Sequence, residues 1–149
     1  MKKLFDMDGV LFDWETAFVA RFGMRPEDMS EEIFQSAKEE ISNSDFYENL
    51  EPIEEGFALF LEAAAKGEAA ILTSVGKYNS EGVADQKRKS LVRVLGYLPE
   101  FYYTRSSKEK AEYARIGTLY DDRLKSVVPF REAGGKAVLF VKNETKLAA

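Results

Sequence analysis

No cysteine and no histidine occurs anywhere in the 149 residues. The first absence excludes disulfides, thiolate nucleophiles and zinc-cysteine sites. The second removes the usual general base and transition-metal ligand. Any catalysis must therefore run on carboxylates, hydroxyls and lysines. An excess of positive charge is missing too: 21 Lys and Arg stand against 26 Asp and Glu, for a net charge of -5. That balance disfavours a nucleic-acid polymer as partner, because neutralising a phosphate backbone needs surplus cations; a small anionic ligand needs only locally focused ones. There is no apolar run long enough to span a bilayer and no apolar h-region behind Lys2 and Lys3, so no membrane is expected and the cytoplasm is the expected location. The length suits one domain with a sizeable core and a small insert, and a homodimer is compatible with it.

What is present begins with Phe5-Asp6-Met7-Asp8-Gly9-Val10, where a short apolar strand runs out into a glycine turn. Side chains two apart on extended backbone point the same way, so Asp6 and Asp8 face one small volume and Gly9 lets the chain turn behind them. Two such charges repel, which suits a site with a divalent cation and one carboxyl acting as an acid. Trp14, Ala17, Phe18, Arg21 and Phe22 then recur at helical spacing up to Gly23, and Ser30 opens a second helix running to about Ile41. Residues 14 to 52 read as a small helical insert ending at Pro52.

Beyond it, Ile53 to Lys66 carries a helical stripe, and Ala69 to Leu72 is a buried strand stopping at Thr73-Ser74. Residues 75 to 86 read as a loop and Lys87 to Leu95 as a helix. Phe101 to Thr104 is a third strand, Lys108 to Ala114 a helical stretch and Thr118 to Tyr120 a fourth strand. Ser126 is placed to cap a helix with Pro129 in its first turn. Lys136 to Val141 is the fifth strand, and Asn143 to Ala149 is expected to fray.

Strands alternating with helices give a parallel sheet covered on both faces, and in such sheets ligands bind beyond the carboxyl ends of the strands. Asp6 and Asp8, Thr73 and Ser74, and Asp121 and Asp122 all lie at those ends. Asp6 with one or both of Asp121 and Asp122 can hold Mg2+, which takes oxygen ligands and a substrate phosphate. Thr73 and Ser74 can donate to phosphoryl oxygens, and Lys108 or Lys110, with Lys87 a further candidate, can neutralise charge on the transferred group. With His and Cys absent, the remaining nucleophile is a carboxylate, which gives an acyl phosphate that water later cleaves. Asp6 fits the attack and Asp8 the proton transfer.

This set of residues in this order resembles the haloacid dehalogenase superfamily of phosphotransferases. The resemblance implies a Rossmann-like three-layer α/β fold with a five-stranded parallel sheet and a small helical cap inserted after the first strand. It divides the chain into a core of residues 1-13 and 53-149 and a cap of residues 14-52. It also implies Asp6 as nucleophile, Asp8 as general acid and then base, Thr73 on the phosphoryl group and Lys108 steadying the nucleophile. Magnesium would be held by Asp6, the Asp8 main-chain carbonyl and the Asp121-Asp122 pair. The finer pattern is similar to the 5'(3')-deoxyribonucleotidases: Asp6-Met7-Asp8-Gly9-Val10-Leu11-Phe12-Asp13-Trp14, Phe46 to Pro52, Ile71-Leu72-Thr73-Ser74, Lys87 before Gly96, Tyr103 to Lys108 and Tyr120-Asp121-Asp122-Arg123. One extra residue precedes Lys108, and the gap from it to Asp121 is longer than in that branch. The expected activity is a magnesium-dependent phosphatase for nucleoside monophosphates, with 5'- or 3'-deoxyribonucleotides as the expected substrates, Lys87 on the phosphate and Trp14 and Phe46 at the base. Phe18 and Phe22 are expected in the core of the cap. Other readings are a phosphatase for sugar phosphates, one for nucleic-acid ends, and a phosphate-binding module without turnover.

Overall fold

The computed structural model describes residues 1–141; the expectation for Asn143 to Ala149 lies outside the described residues. Five strands, β1 (Lys2–Phe5), β2 (Ala69–Ser74), β3 (Phe101–Thr104), β4 (Gly117–Asp121) and β5 (Ala137–Leu139), form one sheet in the order β3-β2-β1-β4-β5. All pairings are parallel. Successive side chains leave a strand on opposite faces. Phe5 and Ile71 accordingly join one apolar cluster with Phe57, Phe60 and Leu91, while Leu4, Ala70, Leu72 and Leu119 join another with Phe130. The first face is covered by α3 (Glu54–Ala65) and α4 (Ser80–Leu95), the second by α5 (Leu124–Glu132). Helices on both faces of a parallel sheet make the expected three-layer α/β architecture. Among the described residues no helix is long and apolar enough to cross a membrane.

The chain builds β1, β2 and β3 outwards on one side and then returns to lay β4 on the other side of β1. Strand order reverses there, so a crevice opens beyond the carboxyl ends of β1 and β4. Phe5 pairs with Tyr120, which brings Asp6 and Asp121, the next residues on each strand, side by side.

Between β1 and α3 the chain forms α1 (Trp14–Phe22), α2 (Glu31–Ser42) and two short 3-10 turns, Pro26–Asp28 and Phe46–Asn49. Asp13 Oδ1 accepts from Thr16 N at 3.1 Å and Ser30 Oγ from Ile33 N at 3.2 Å, so both helices start at capping residues. Entry and exit lie together: Asp13 N donates to Glu51 O and Ile53 N to Leu11 O, each within 2.8 Å. Phe18, Ile41 and Phe46 in this segment belong to the same cluster as Phe5 and Phe60, so its apolar interior continues into the sheet's.

Several boundaries differ from the sequence reading. The fourth helix starts at Ser80, not Lys87, because Asn79 and Gly82 do not break it. Asn79 Nδ2 donates to Ser42 O at 2.8 Å, and a Cβ on Gly82 would lie 2.3 Å from that amide. The missing side chain makes room for a tertiary contact. The last helix starts at Leu124, where Asp121 Oδ1 accepts from Arg123 N at 3.0 Å and sets its entry. Ser126 is therefore inside the helix and buried instead of capping it, and Pro129 sits in the helix interior. Lys108–Tyr113 is 3-10 helix, and β5 is shorter than Lys136 to Val141.

Candidate active site

Asp6 stands just past β1 and is 5% exposed. Its Oδ1 accepts from Lys110 Nζ at 2.9 Å, and the same ammonium donates to Asp121 Oδ2 at 2.7 Å. Lys110 is 1% and Asp121 0% exposed, so a buried cation bridges the carboxylates at two neighbouring strand ends. Burial opposes the charge on Lys110, but Asp6 and Asp121 outweigh it and hold the ammonium above the usual lysine range. The position beside Asp6 thus belongs to Lys110 and not to Lys108, which is exposed at the rim.

A second buried lysine organises Asp8. Lys87 Nζ donates to Asp8 Oδ2 at 3.0 Å, Thr73 Oγ1 at 2.7 Å and Ser74 O at 2.9 Å. An ammonium has three hydrogens, and these partners take all of them. In this arrangement Lys87 positions Asp8 and the end of β2 and has no donor left for phosphate. Burial holds the Asp8 carboxyl above the usual carboxylate range, with Lys87 pulling it back and Asp6 adding to the rise.

Asp6, Asp121 and Asp122 each bring a carboxylate oxygen within 4.8 Å of the others. Burial, then the charges of Asp6 and Asp121, push Asp122 up to about 8; burial and Asp6 push Asp121 to about 6. Both oxygens of Asp121 already accept, one from Lys110 and one from Arg123 N. Asp122 Oδ1, by contrast, is buried without a hydrogen-bond partner. An orphaned acceptor among repelling carboxylates fits a hard divalent cation. Gly9 permits this approach: with φ +85° it turns the chain, and a Cβ there would lie 2.0 Å from Asp122 Oδ2.

A cavity of about 1180 Å³ opens at these groups, lined by Asp6, Asp8, Ser74, Lys110 and Asp122 and also by Trp14 and Tyr47. Thr73 and Lys87 lie behind its wall. Phe46 is buried in the cluster it shares with Phe18 and Phe5, edge-on to Trp14 at 6.3 Å, and its neighbour Tyr47 takes the cavity-facing place. Phe18 is fully buried, stacked on Trp14 at 4.7 Å. Tyr47 OH accepts from Trp14 Nε1 at 3.4 Å, its ring lies 5.2 Å from Lys87 Nζ, and burial followed by the Asp8 charge raises its phenol. The sequence reading passed over Lys77 and Lys125 on the lining and quoted Arg123 in a motif without giving it a role. Each lies within a few residues of a strand end, which is the signal that marks them.

No protein-family profile matches the sequence, and no curated protein sequence does. Solved structures share the fold. A hydrolase from Streptococcus pneumoniae TIGR4 covers 99% of this chain and 98% of its own at a TM-score of 0.53 and 16% identity. An L-2-haloacid dehalogenase covers 95% of this chain and 84% of its own at a TM-score of 0.56 and 14% identity. A HAD family enzyme from Bacteroides thetaiotaomicron, in complex with magnesium and inorganic phosphate, covers 97% and 96% at a TM-score of 0.50 and 14% identity. At these identities the likeness is one of fold alone. The finer similarity to deoxyribonucleotidases rests on the sequence motifs alone.

Proposed function

We propose that this chain is a magnesium-dependent phosphatase of small phosphate monoesters, acting on nucleoside monophosphates with 5'- or 3'-deoxyribonucleotides as the expected substrates. The observation that carries the reading is the pairing of Asp6 and Asp8 in one cavity. Asp6 is oriented by a buried lysine, and Asp8 lines the same cavity with its carboxyl held by burial above the usual carboxylate range. A carboxylate oxygen of Asp6 attacks phosphorus as the ester P–O bond breaks, and Asp8 gives its proton to the departing oxygen. An acyl phosphate on Asp6 remains. Asp8, now ionised, takes a proton from water as that water attacks phosphorus, which frees phosphate and restores Asp6. Lys110 offsets the charge of the buried acids throughout.

Asp6 and Asp122, with the Asp8 carbonyl that the sequence resemblance implies, are the groups that would hold magnesium; Asp121 acts through Lys110. When bound, the ion supplies positive charge to the phosphoryl oxygens and lets the carboxylates and the phosphate share one site. The magnesium and phosphate in the Bacteroides HAD family enzyme support this choice. Ser74 is the strand-end hydroxyl that lines the cavity, and Thr73 supports the site by holding Lys87. Trp14 and Tyr47 offer aromatic surface to a nucleobase.

Phosphate release from deoxyribonucleotides, ribonucleotides and sugar phosphates, with and without magnesium, tests the proposal, with Asp6→Asn as control. Magnesium-dependent release from nucleotides that disappears in Asp6→Asn supports it. Release from sugar phosphates alone removes the nucleotide assignment, and no release from any ester removes the phosphatase.

A further inference from the structure

The chemistry at Asp6 leaves unused a second group of charges at the cavity's rim. Lys38, Lys77, Arg105, Lys108, Arg123 and Lys125 all line it. Among the described residues, none of them has a carboxylate within ion-pair distance. They come from separate elements: Lys38 from α2, Lys77 from the loop after β2, Arg105 and Lys108 from the segment after β3, and Arg123 and Lys125 from the entry to α5.

Carboxylates on the same wall are engaged elsewhere. Asp13 accepts from Thr16 and caps α1, while Glu15 and Glu27 lie 3.5 and 2.7 Å from Arg25. The rim cations also act on one another. Burial lowers the Lys38 ammonium below the usual lysine range and, against an opposing Glu31, the fields of Lys77, Arg123 and Lys125 lower it further. In a chain of net charge -5, these six cations, none of them in an ion pair among the described residues, outnumber the outer carboxylates of the same lining, Asp13, Glu15 and Glu27, of which the two glutamates share Arg25. None of the six cations is hydrogen-bonded or ion-paired to Asp6 or Asp8, whose ammonium partners are Lys110 and Lys87.

We infer that, beside monophosphates, the site takes and prefers a nucleotide that carries a second phosphate on the part that leaves, a bisphosphorylated small molecule such as a nucleoside 3',5'-bisphosphate. One phosphoryl group is attacked by Asp6 and the other is held among Lys38, Lys77, Arg123 and Lys125. Lysine and arginine donors from several elements suit a compact dianion with three acceptor oxygens. The cavity volume exceeds the upper end of ordinary ligand pockets, roughly 1,000 Å³, and leaves room for both groups. The inference rests on the phosphatase reading for its chemistry: water and the bisphosphate give inorganic phosphate and a monophosphate, one P–O ester bond breaks, and the second phosphate leaves unchanged on the product.

Calorimetric binding to the Asp6→Asn protein reads the rim without turnover. The ligands are a nucleoside 3',5'-bisphosphate, the 3'- and 5'-monophosphates and a sugar bisphosphate, each with the parent protein and with Lys38→Gln/Lys125→Gln added. The expected result is bisphosphate binding at least about tenfold tighter than either monophosphate. The added substitutions should reduce that advantage to less than about twofold, and the salt dependence should be steeper for the bisphosphate. The sugar bisphosphate, measured beside the corresponding sugar monophosphate, tells whether the nucleoside adds to the preference; a preference for either bisphosphate over its monophosphate supports the second-phosphate site. Equal binding of mono- and bisphosphates, or substitutions that weaken both by the same factor, overturns it and leaves a rim that attracts anions in general. Turnover of p-nitrophenyl phosphate by the unsubstituted chain separates the two proposals. Turnover without a bisphosphate preference overturns the second-phosphate site alone. A bisphosphate preference with no ester hydrolysed supports that site and removes the phosphatase.

Discussion

Lys110 Nζ and Asp6 Oδ1 form a 2.9 Å ion pair between side chains that are 2% and 7% exposed. Removing one partner of a buried pair leaves the other charge without compensation, and here two acids would be left, Asp6 and Asp121. Lys110→Met should therefore destabilise the magnesium-free protein by about 3–5 kcal/mol in urea unfolding. Lys108→Met, on the exposed rim, should change stability by no more than about 0.5 kcal/mol. A larger loss for Lys108 than for Lys110 would return the position beside Asp6 to Lys108.

Gly9 and Asp122 are in closest approach where the turn passes behind the acids. Gly9→Ala would force a positive φ on a residue with a side chain and press its Cβ onto the Asp122 carboxylate. Destabilisation of about 1–3 kcal/mol is expected, together with weaker magnesium binding in a titration. Wild-type magnesium affinity in this variant would show that Asp122 does not touch the ion.

The acid pair sets a pH dependence. Both folded-state values, about 6 for Asp121 and about 8 for Asp122, lie above the unfolded value of about 3.9. Between those limits the unfolded chain binds fewer protons than the folded one, so stability is lost as pH rises from the usual carboxylate range through the two raised values. Without divalent cation, the melting temperature should fall across that interval. Magnesium binds the ionised form, so its stabilising effect should grow with pH. A cation-free melting temperature that climbs towards pH 8 would contradict the raised carboxyls.

Trp14 is the sole tryptophan and lines the cavity. Nucleoside monophosphates added to the Asp6→Asn protein should change its fluorescence by stacking on it, and sugar phosphates should do so far less. Equal changes with both ligand classes would take the base away from Trp14.

Asp6, Asp8, Asp121 and Asp122 could be placed from the sequence because a parallel sheet gathers strand ends on one edge whatever the strand order. The same rule covers Arg123 and Lys125, which follow β4 directly. It does not separate Lys108 from Lys110. Both lie on one 3-10 segment, where the direction of a side chain turns by about a third of a circle per residue and no periodic apolar face marks the inside. Phe46 and Tyr47 pose the same difficulty: adjacent aromatics on a short turn, one in the core and one at the cavity, with only tertiary packing to choose between them. The early start of the fourth helix depends on Ser42, 37 residues from Asn79 and invisible to any local pattern.

The segment from Trp14 to Glu51 leaves and re-enters the chain through a pair of hydrogen bonds between Leu11-Phe12-Asp13 and Glu51-Pro52-Ile53. Its two ends are one strand spacing apart, so its length and helices can vary while the register of β1 against β2 and β4 stays as it is. The excursion and the strand ends beside it are free to diverge at different rates. Under the proposed phosphatase reading, choice of leaving group can be rewritten in the excursion while Asp6 and Asp8 stay as they are.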